Sequence, residues 1–150
     1  MTTKGMGFGG LDEANRVAYA RELAKRWKAL VASGKARWLP GMRMISPTSR
    51  GRVIEGTENT PYMVWHGEGA TTEGGGWHDQ EVPFGAAPDF NDPATLGCLL
   101  ALARERWGNA EMYTTPNLVD GSWFCSLAFD RAFAGETEVE AILTALEAAP

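Results

Sequence analysis

The sequence predicts an α+β domain, in which an antiparallel sheet of about five short strands is packed by three helices in the order α-β-β-β-α-β-β-α. Apolar residues recur at helical spacing in residues 12–33, 92–108 and 137–149. Short runs rich in β-branched and aromatic residues lie between these segments and are bounded by Gly, Pro or Ser. Several of the predicted strands are neighbours in sequence, which favours antiparallel pairing over an alternating α/β arrangement.

The first helix is predicted over residues 12–33. Leu23, Trp27 and Leu30 recur on one face of this segment, and Gly34 follows as a stop signal. The same apolar stripe contains Ala20, Ala24 and Val31.

The middle of the chain is predicted to contain three strands and a long loop. Residues 42–46 and 52–55 are predicted to be two short strands joined by a Pro/Ser/Gly turn, and "PYMVWHG" follows as the third strand. Residues 67–89 are rich in glycine, show no periodicity and are predicted to form a loop. Loops of this length are uncommon in compact domains and are typical of mobile or functional segments. We therefore expect a binding edge to lie in this loop.

The second helix has a complete set of boundary signals. Asp92 is a suitable N-cap, and Pro93 stands at the first helical position, where its missing N–H costs nothing. Gly108 is the expected end of the helix. The segment contains no metal-ligand or phosphate-binding motif, so it is predicted to serve the fold. Its predicted buried stripe is Leu96, Leu99, Leu100, Ala103 and Trp107.

Two strands and a last helix complete the predicted order. Residues 111–115 and 123–129 are predicted strands, and the second has apolar residues on both faces, as is typical of a central strand. The last helix is predicted over residues 137–149, where Thr137 and Glu140 form a capping box. Its apolar stripe is Val139, Ile142, Leu143 and Leu146.

The composition predicts one globular domain, residues 11–150, after a flexible Gly-rich tail formed by residues 1–10. No apolar run approaches the roughly 20 residues of a membrane span, and the N-terminal sequence lacks the apolar region of a signal peptide. Cys98 and Cys125 lie far apart within apolar segments and are predicted to be reduced thiols. These features predict a cytoplasmic protein that does not associate with membranes.

Charge is distributed unevenly along the chain. Residues 1–52 contain eleven Lys/Arg and three Asp/Glu, whereas residues 53–150 contain three Lys/Arg and sixteen Asp/Glu, which together give the net charge of −5. Three interpretations are open: a basic nucleic-acid-binding segment, an acidic face for a protein partner, or two halves that neutralise each other in the fold.

Recognisable catalytic motifs are missing from the sequence. The two histidines are not part of an HExxH motif, and neither GxxxxGK[ST] nor GxSxG is present. The sequence therefore predicts a binding protein more readily than an enzyme, and no cofactor. A small metal-dependent enzyme remains an alternative, since His66, His78 and Asp79 could supply three ligands of a metal site with an open water position.

Two surfaces are candidates for partner binding. The first is acidic and lies in the Gly-rich loop, where negative charge would be attracted to a basic groove on another protein; its residues are Glu68, Glu73, Asp79 and Glu81. The second is the alternative for nucleic acid. Arg21, Lys25 and Lys28 lie on one side of the first helix and would contact phosphates.

The segments "WLPGM", "DPATLGCLLALARERWG" and "GETEVEAILTALEAAP" resemble a group of small phage- and prophage-encoded proteins of unknown function. The layout of a capped Leu/Ala helix, an aromatic strand and a final capped helix is similar to the phage "ABA sandwich" domain type. The resemblance covers residues 92–150 best and rests on structural motifs, so it assigns no site residue. It implies a phage accessory protein in the bacterial cytoplasm that binds a host protein, such as a component of a defence system.

Overall fold

The strands of the protein form two antiparallel sheets in this computed structural model, which describes residues 9–45, 50–54, 62–65, 76–78, 87–127 and 131–150. The strands of the larger sheet are β1 (Arg43–Ile45), β2 (Arg50–Ile54), β3 (Tyr62–Trp65), β4 (Gly76–His78) and β5 (Ala87–Pro88), in the order β4-β3-β2-β1-β5. Those of the smaller sheet are β6 (Tyr113–Pro116), β7 (Trp123–Leu127) and β8 (Arg131–Gly135), with β7 in the centre. The helices in the described ranges are α1 (Gly9–Ala32), α2 (Pro93–Trp107) and α3 (Glu138–Ala148).

The α+β class with three helices is confirmed, but a single sheet of about five strands and the predicted element order are not. Eight strands in two sheets lie in the described residues. The additional strands are β4, β5 and β8, and the first two fall in the predicted loop 67–89. Strands of two or three residues are too short to show an alternating pattern, and β8 contains a single large apolar residue, Phe133. These three strands are defined by their pairing with neighbouring strands, and the local sequence does not reveal that pairing.

Local capping chemistry fixes both ends of α2, as the sequence predicts. The Asp92 Oδ2 atom accepts a hydrogen bond from the Thr95 backbone N at 3.0 Å, and Pro93 opens the helix. At the other end Gly108 takes a left-handed conformation with φ of 61°. The Gly108 and Asn109 N–H groups then bond to the carbonyls of Glu105 and Arg104, as in a Schellman motif.

Helix α3 lies at the centre of the core. Its N-cap is Thr137, whose Oγ1 atom accepts from the Glu140 N at 3.3 Å, which confirms the predicted start of the helix. The helix packs against all three strands of the smaller sheet and against α1 and α2. Its buried residues are Val139, Ala141, Ile142, Leu143, Ala145 and Leu146, which include the whole predicted stripe.

The smaller sheet approaches α3 so closely that one position requires glycine. A Cβ atom added at Gly135 of β8 would lie 2.4 Å from the Ala141 backbone N. Real Cβ atoms do not come this near to backbone, so a side chain here would force the strand away from the helix. The absence of a side chain at Gly135 therefore sets the distance between β8 and α3.

The other elements complete the core with one apolar face each. From α1 the predicted residues Leu23, Trp27 and Leu30 are buried, whereas Val31 is 38% exposed. The buried residues of α2 form one helical stripe that is rotated from the predicted one: Leu102 and Thr95 are buried, whereas the predicted Leu96, Leu100 and Trp107 are only partly buried. The remaining buried apolar residues include Met42, Met44, Val53, Met112 and Cys125.

A polar network joins the start of α2 to the larger sheet. Thr95 is completely buried, and its Oγ1 atom donates to Asp92 Oδ2 at 3.0 Å and accepts from the Arg43 backbone N at 2.9 Å. The Arg52 guanidinium donates to Asp92 Oδ2 and to the Gly41 carbonyl, both at 2.9 Å. One carboxylate thus caps a helix and binds a strand residue, and burial makes each of these bonds costly to lose.

We expect Asp92→Ala to destabilise the fold by about 1–3 kcal/mol at neutral pH, because the cap and the partner of Arg52 are both lost. Burial would raise the pKa of Asp92, but the bonds from Arg52 and Thr95 outweigh it and lower that pKa below 3.8. A carboxyl group with a lowered pKa stabilises the fold above its unfolded-state pKa and ceases to do so as the pH falls through the folded-state value. The difference from wild type should therefore shrink below pH 3.8.

Urea denaturation of both proteins over a series of pH values measures this difference. Glu111→Ala, which removes an exposed carboxylate, is the control and should have little effect at any pH. A difference between wild type and Asp92→Ala that stays constant down to the lowest pH would contradict the assigned role of the charge.

Candidate functional site

The acidic residues predicted for partner binding, Glu68, Glu73, Asp79 and Glu81, lie outside the described residues. The same holds for the metal-site hypothesis, since two of its three residues, His66 and Asp79, also lie outside the described residues. The His78 backbone belongs to β4, where it pairs with Tyr62. Within the described ranges, no three His, Cys, Asp or Glu side chains are grouped so that they could hold a metal ion. The acidic-loop and metal-site hypotheses therefore remain predictions.

The three basic residues of the alternative site lie along the described part of α1. Arg21, Lys25 and Lys28 are all exposed, and their spacing of four and three residues places them on one side of the helix. The structure thus brings these three cations together on the surface, as the sequence predicts.

Several other basic residues of the basic part of the chain, residues 1–52, pair with acidic residues of residues 53–150. Arg26 bonds to Glu147 at 2.8 Å and Arg37 bonds to Glu105 at 2.7 Å. Two further ion pairs are Arg52–Asp92 at 2.9 Å and Arg43–Asp89 at 3.7 Å. The two oppositely charged parts of the sequence therefore neutralise each other at these four contacts, as one of the three interpretations expects.

The cysteines do not have the environment of a catalytic thiol. Cys98 and Cys125 are both unpaired, as predicted. Burial raises the pKa of the Cys98 thiol, and burial raises that of Cys125 to about 11. A nucleophilic cysteine needs a lowered pKa, which a nearby cation or helix N-terminus provides. Neither residue is therefore a candidate nucleophile.

The smaller sheet turns one face towards the core and the other outwards. Cys125 lies opposite Thr114 and Phe133 in the neighbouring strands, so these three side chains share a face. Cys125 is completely buried, and Thr114 Oγ1 donates to Glu138 Oε2 of α3 at 2.7 Å. This face covers α3, and side chains at the alternate positions point away from the helix.

We call the opposite side of the smaller sheet the outer sheet face. Tyr113 is 45% exposed there, Ala132 and Ala134 are exposed, and Phe124 is half-buried. None of the six residues on this face carries a charge. Its two cross-strand rows are Thr115, Phe124 and Ala134, and Tyr113, Ser126 and Ala132.

The turn between β6 and β7 projects two aliphatic side chains into solvent. Leu118 is 92% exposed and Val119 is 93% exposed, whereas Tyr113, the next most exposed large apolar residue described, reaches 45%. We call residues 117–122 the apolar turn. No role was predicted for "NLVDG", although turn residues on both sides of an aliphatic pair are a signal for an exposed apolar tip.

The apolar turn is held by hydrogen bonds at both ends. The backbone N of Asn117 donates to the Ser122 carbonyl at 2.7 Å, and the Gly121 N donates to the Asn117 carbonyl at 2.8 Å. The Asn117 side chain accepts from the Val119 N at 3.0 Å, and Asp120 accepts from both the N and Oγ atoms of Ser122. These bonds lower the pKa of Asp120 and so favour its charged form. The exposed pair therefore has an ordered backbone.

The comparisons assign no family to the chain. No protein-family model matches it, and neither does any of the curated proteins or solved structures searched. None of the helices in the described ranges is both long and apolar enough to cross a membrane.

We expect Cys98 to react with an aromatic disulfide reagent before Cys125 at mildly alkaline pH. Cys98 is partly exposed, whereas Cys125 is completely buried and its pKa is raised to about 11. Cys125 should react only when the protein opens, so the rate of its labelling should increase with urea. Labelling of the Cys98→Ser and Cys125→Ser variants separates the two rates, and equal rates in the folded protein would contradict the assignment.

Proposed function

We propose that this chain is a small phage or prophage accessory protein that acts in the bacterial cytoplasm by binding a host protein, without catalysing a reaction. The observation that carries the binding part of the proposal is the apolar turn, where Leu118 and Val119 are 92% and 93% exposed on a hydrogen-bonded backbone. The phage origin follows from the sequence resemblance. A component of a host defence system is the partner class that this resemblance implies.

Exposed aliphatic pairs of this kind are favourable anchors for a protein interface. Burial of one Leu or Val side chain contributes about 1.5–3 kcal/mol. The backbone of the turn is already ordered by the bonds at Asn117 and Asp120, so binding incurs a smaller loss of conformational entropy. A partner pocket that accepts both side chains would gain affinity from burial with a small ordering cost.

The outer sheet face extends the same surface. The turn connects β6 and β7, whose outward residues Tyr113, Thr115 and Phe124 lie on that face. The centre of a protein interface is typically depleted of charge and enriched in aromatic residues, which is the composition found here. Glu68, Glu73, Asp79 and Glu81 are the acidic residues predicted from the sequence to attract a basic partner and to make association sensitive to salt.

The test is affinity purification of the tagged protein from nuclease-treated bacterial lysate, with bound proteins identified by mass spectrometry. We expect a near-stoichiometric protein partner for wild type and a loss of that partner for Leu118→Ser/Val119→Ser. Losing the burial of both side chains, at least about 3 kcal/mol, corresponds to binding that is weaker by roughly a hundredfold or more. Stability should change by less than about 0.5 kcal/mol, since both side chains are exposed.

Two further variants sharpen this test. Val31→Ser removes a valine that is 38% exposed on α1, far along the chain from the turn, and should retain the partner. Charge reversal at Glu68, Glu73 and Asp79 should weaken binding and reduce its salt dependence. Equal recovery of the same partner by wild type and by the double serine variant would refute the role of the turn, and unchanged binding after charge reversal would refute the role of the acidic residues.

A second candidate function is association with nucleic acid through α1. The observation that favours it is the exposed alignment of Arg21, Lys25 and Lys28 on one side of the helix. Fluorescence anisotropy with labelled duplex DNA would then show binding at low salt that falls as salt is added and that is lost in the triple alanine variant. A lack of binding at low salt, or equal binding by the triple variant, would end this alternative.

A further inference from the structure

A groove of about 730 Å³ lies beneath the first half of α1. It is bounded by that helix, by residues 87–91 and by the beginnings of α2 and α3. Volumes of roughly 300–1,000 Å³ are typical of small-molecule sites, so the groove is of a suitable size for a ligand of moderate length. Apolar residues that line it include Val17, Leu23, Ile45, Phe90, Leu96 and Val139.

The groove exists because the two halves of α1 are attached differently. The second half is fixed to the core by Leu23, Trp27 and Leu30 and by the bonds of Arg26 to α3. In the first half, residues 14–22 are all exposed. At this end the Tyr19 hydroxyl lies 2.6 Å from Thr137 Oγ1, the N-cap of α3, and this bond bridges the helices beside the groove.

Arg21 provides the groove with an exposed cation for an anionic ligand. Arg16 and Arg21 both line it from α1, and Arg21 is exposed. The two acidic lining residues already have partners in the fold. Asp89 accepts from the Asn91 backbone N at 3.1 Å and pairs with Arg43, and Glu138 accepts from Thr114. An arginine guanidinium binds a carboxylate with two parallel hydrogen bonds, so this group complements the lining best.

We propose that this groove binds an amphipathic monocarboxylate, a molecule with one carboxylate and a linear hydrocarbon body of medium length. The body contacts Val17, Leu96 and Val139, and the carboxylate binds the Arg21 guanidinium. This small-molecule site goes beyond the proposed protein binding and does not depend on it, because the groove shares no lining residue with the apolar turn or the outer sheet face.

The probe is octanoate below its micelle-forming concentration, added to the full chain with isotopically labelled Ile, Leu and Val methyl groups. We expect saturable shifts in the NMR signals of Val17, Ile45, Leu96 and Val139. The signals of Leu118 and Val119, which are the most exposed aliphatic residues described, should not move. They are an internal control for nonspecific contact with hydrocarbon.

Two comparisons test the recognition of the carboxylate. Octanol has the same hydrocarbon body without the charge and should bind at least roughly tenfold more weakly. Arg21→Glu should weaken octanoate binding by a similar factor and leave octanol binding unchanged, whereas Lys28→Glu, a charge reversal outside the groove on the same helix, should retain octanoate. The methyl spectrum of each variant confirms that it is folded.

Three results would overturn the proposal. They are the absence of saturable shifts in the groove, shifts that are as large at Leu118 and Val119 as in the groove, and octanol binding as tight as that of octanoate. An unaltered octanoate affinity in Arg21→Glu would equally remove the assigned carboxylate partner.

Discussion

The burial of α3 holds α1, α2 and the smaller sheet in place. This helix of eleven residues packs on one side against the smaller sheet and on the other against α1 and α2. Its neighbours also form hydrogen bonds with its polar groups: the Trp107 indole donates to the Ala145 carbonyl at 2.8 Å, and the Lys35 ammonium donates to the Glu147 carbonyl at 2.7 Å. A helix with so many buried residues satisfies its end carbonyls through such contacts. Apolar burial and polar contacts therefore converge on α3.

The two candidate sites are consequences of this arrangement. Because one face of the smaller sheet covers α3, the alternate residues and the β6–β7 turn are directed away from the core. The second half of α1 is likewise fixed to α3 by Arg26, while the Tyr19–Thr137 bond bridges the first half to the N-cap. The apolar turn and the groove thus lie in different parts of the surface. Contacts of α3 position both the apolar turn and the groove.

The sequence predicted the features that local chemistry determines. The caps at Asp92 and Thr137 and the buried face of α3 follow from residues within one or two helical turns. The short strands β4 and β5, the close approach at Gly135 and the pairing of Arg52 with Asp92 depend on residues distant in the chain, which a local pattern does not reveal. For the sites, the basic face of α1 was predictable from its spacing. The exposure of Leu118 and Val119 was indicated only by the turn residues on both sides of them, whereas an aliphatic pair by itself is typical of buried positions.

The ion pairs also bear on the choice between the two proposed functions. Arg26, Arg37, Arg43 and Arg52 each bond to a carboxylate of the chain, so phosphate binding by these residues would first require an existing contact to break. Arg21, Lys25 and Lys28 form a separate exposed group on α1. Three phosphate contacts correspond to a salt-dependence slope of about −2.7, whereas the six to ten contacts of strongly salt-dependent binders give a much steeper slope of roughly −5 to −9. The α1 face alone therefore supports only weak nucleic-acid association, which makes protein binding through the apolar turn the better-supported function.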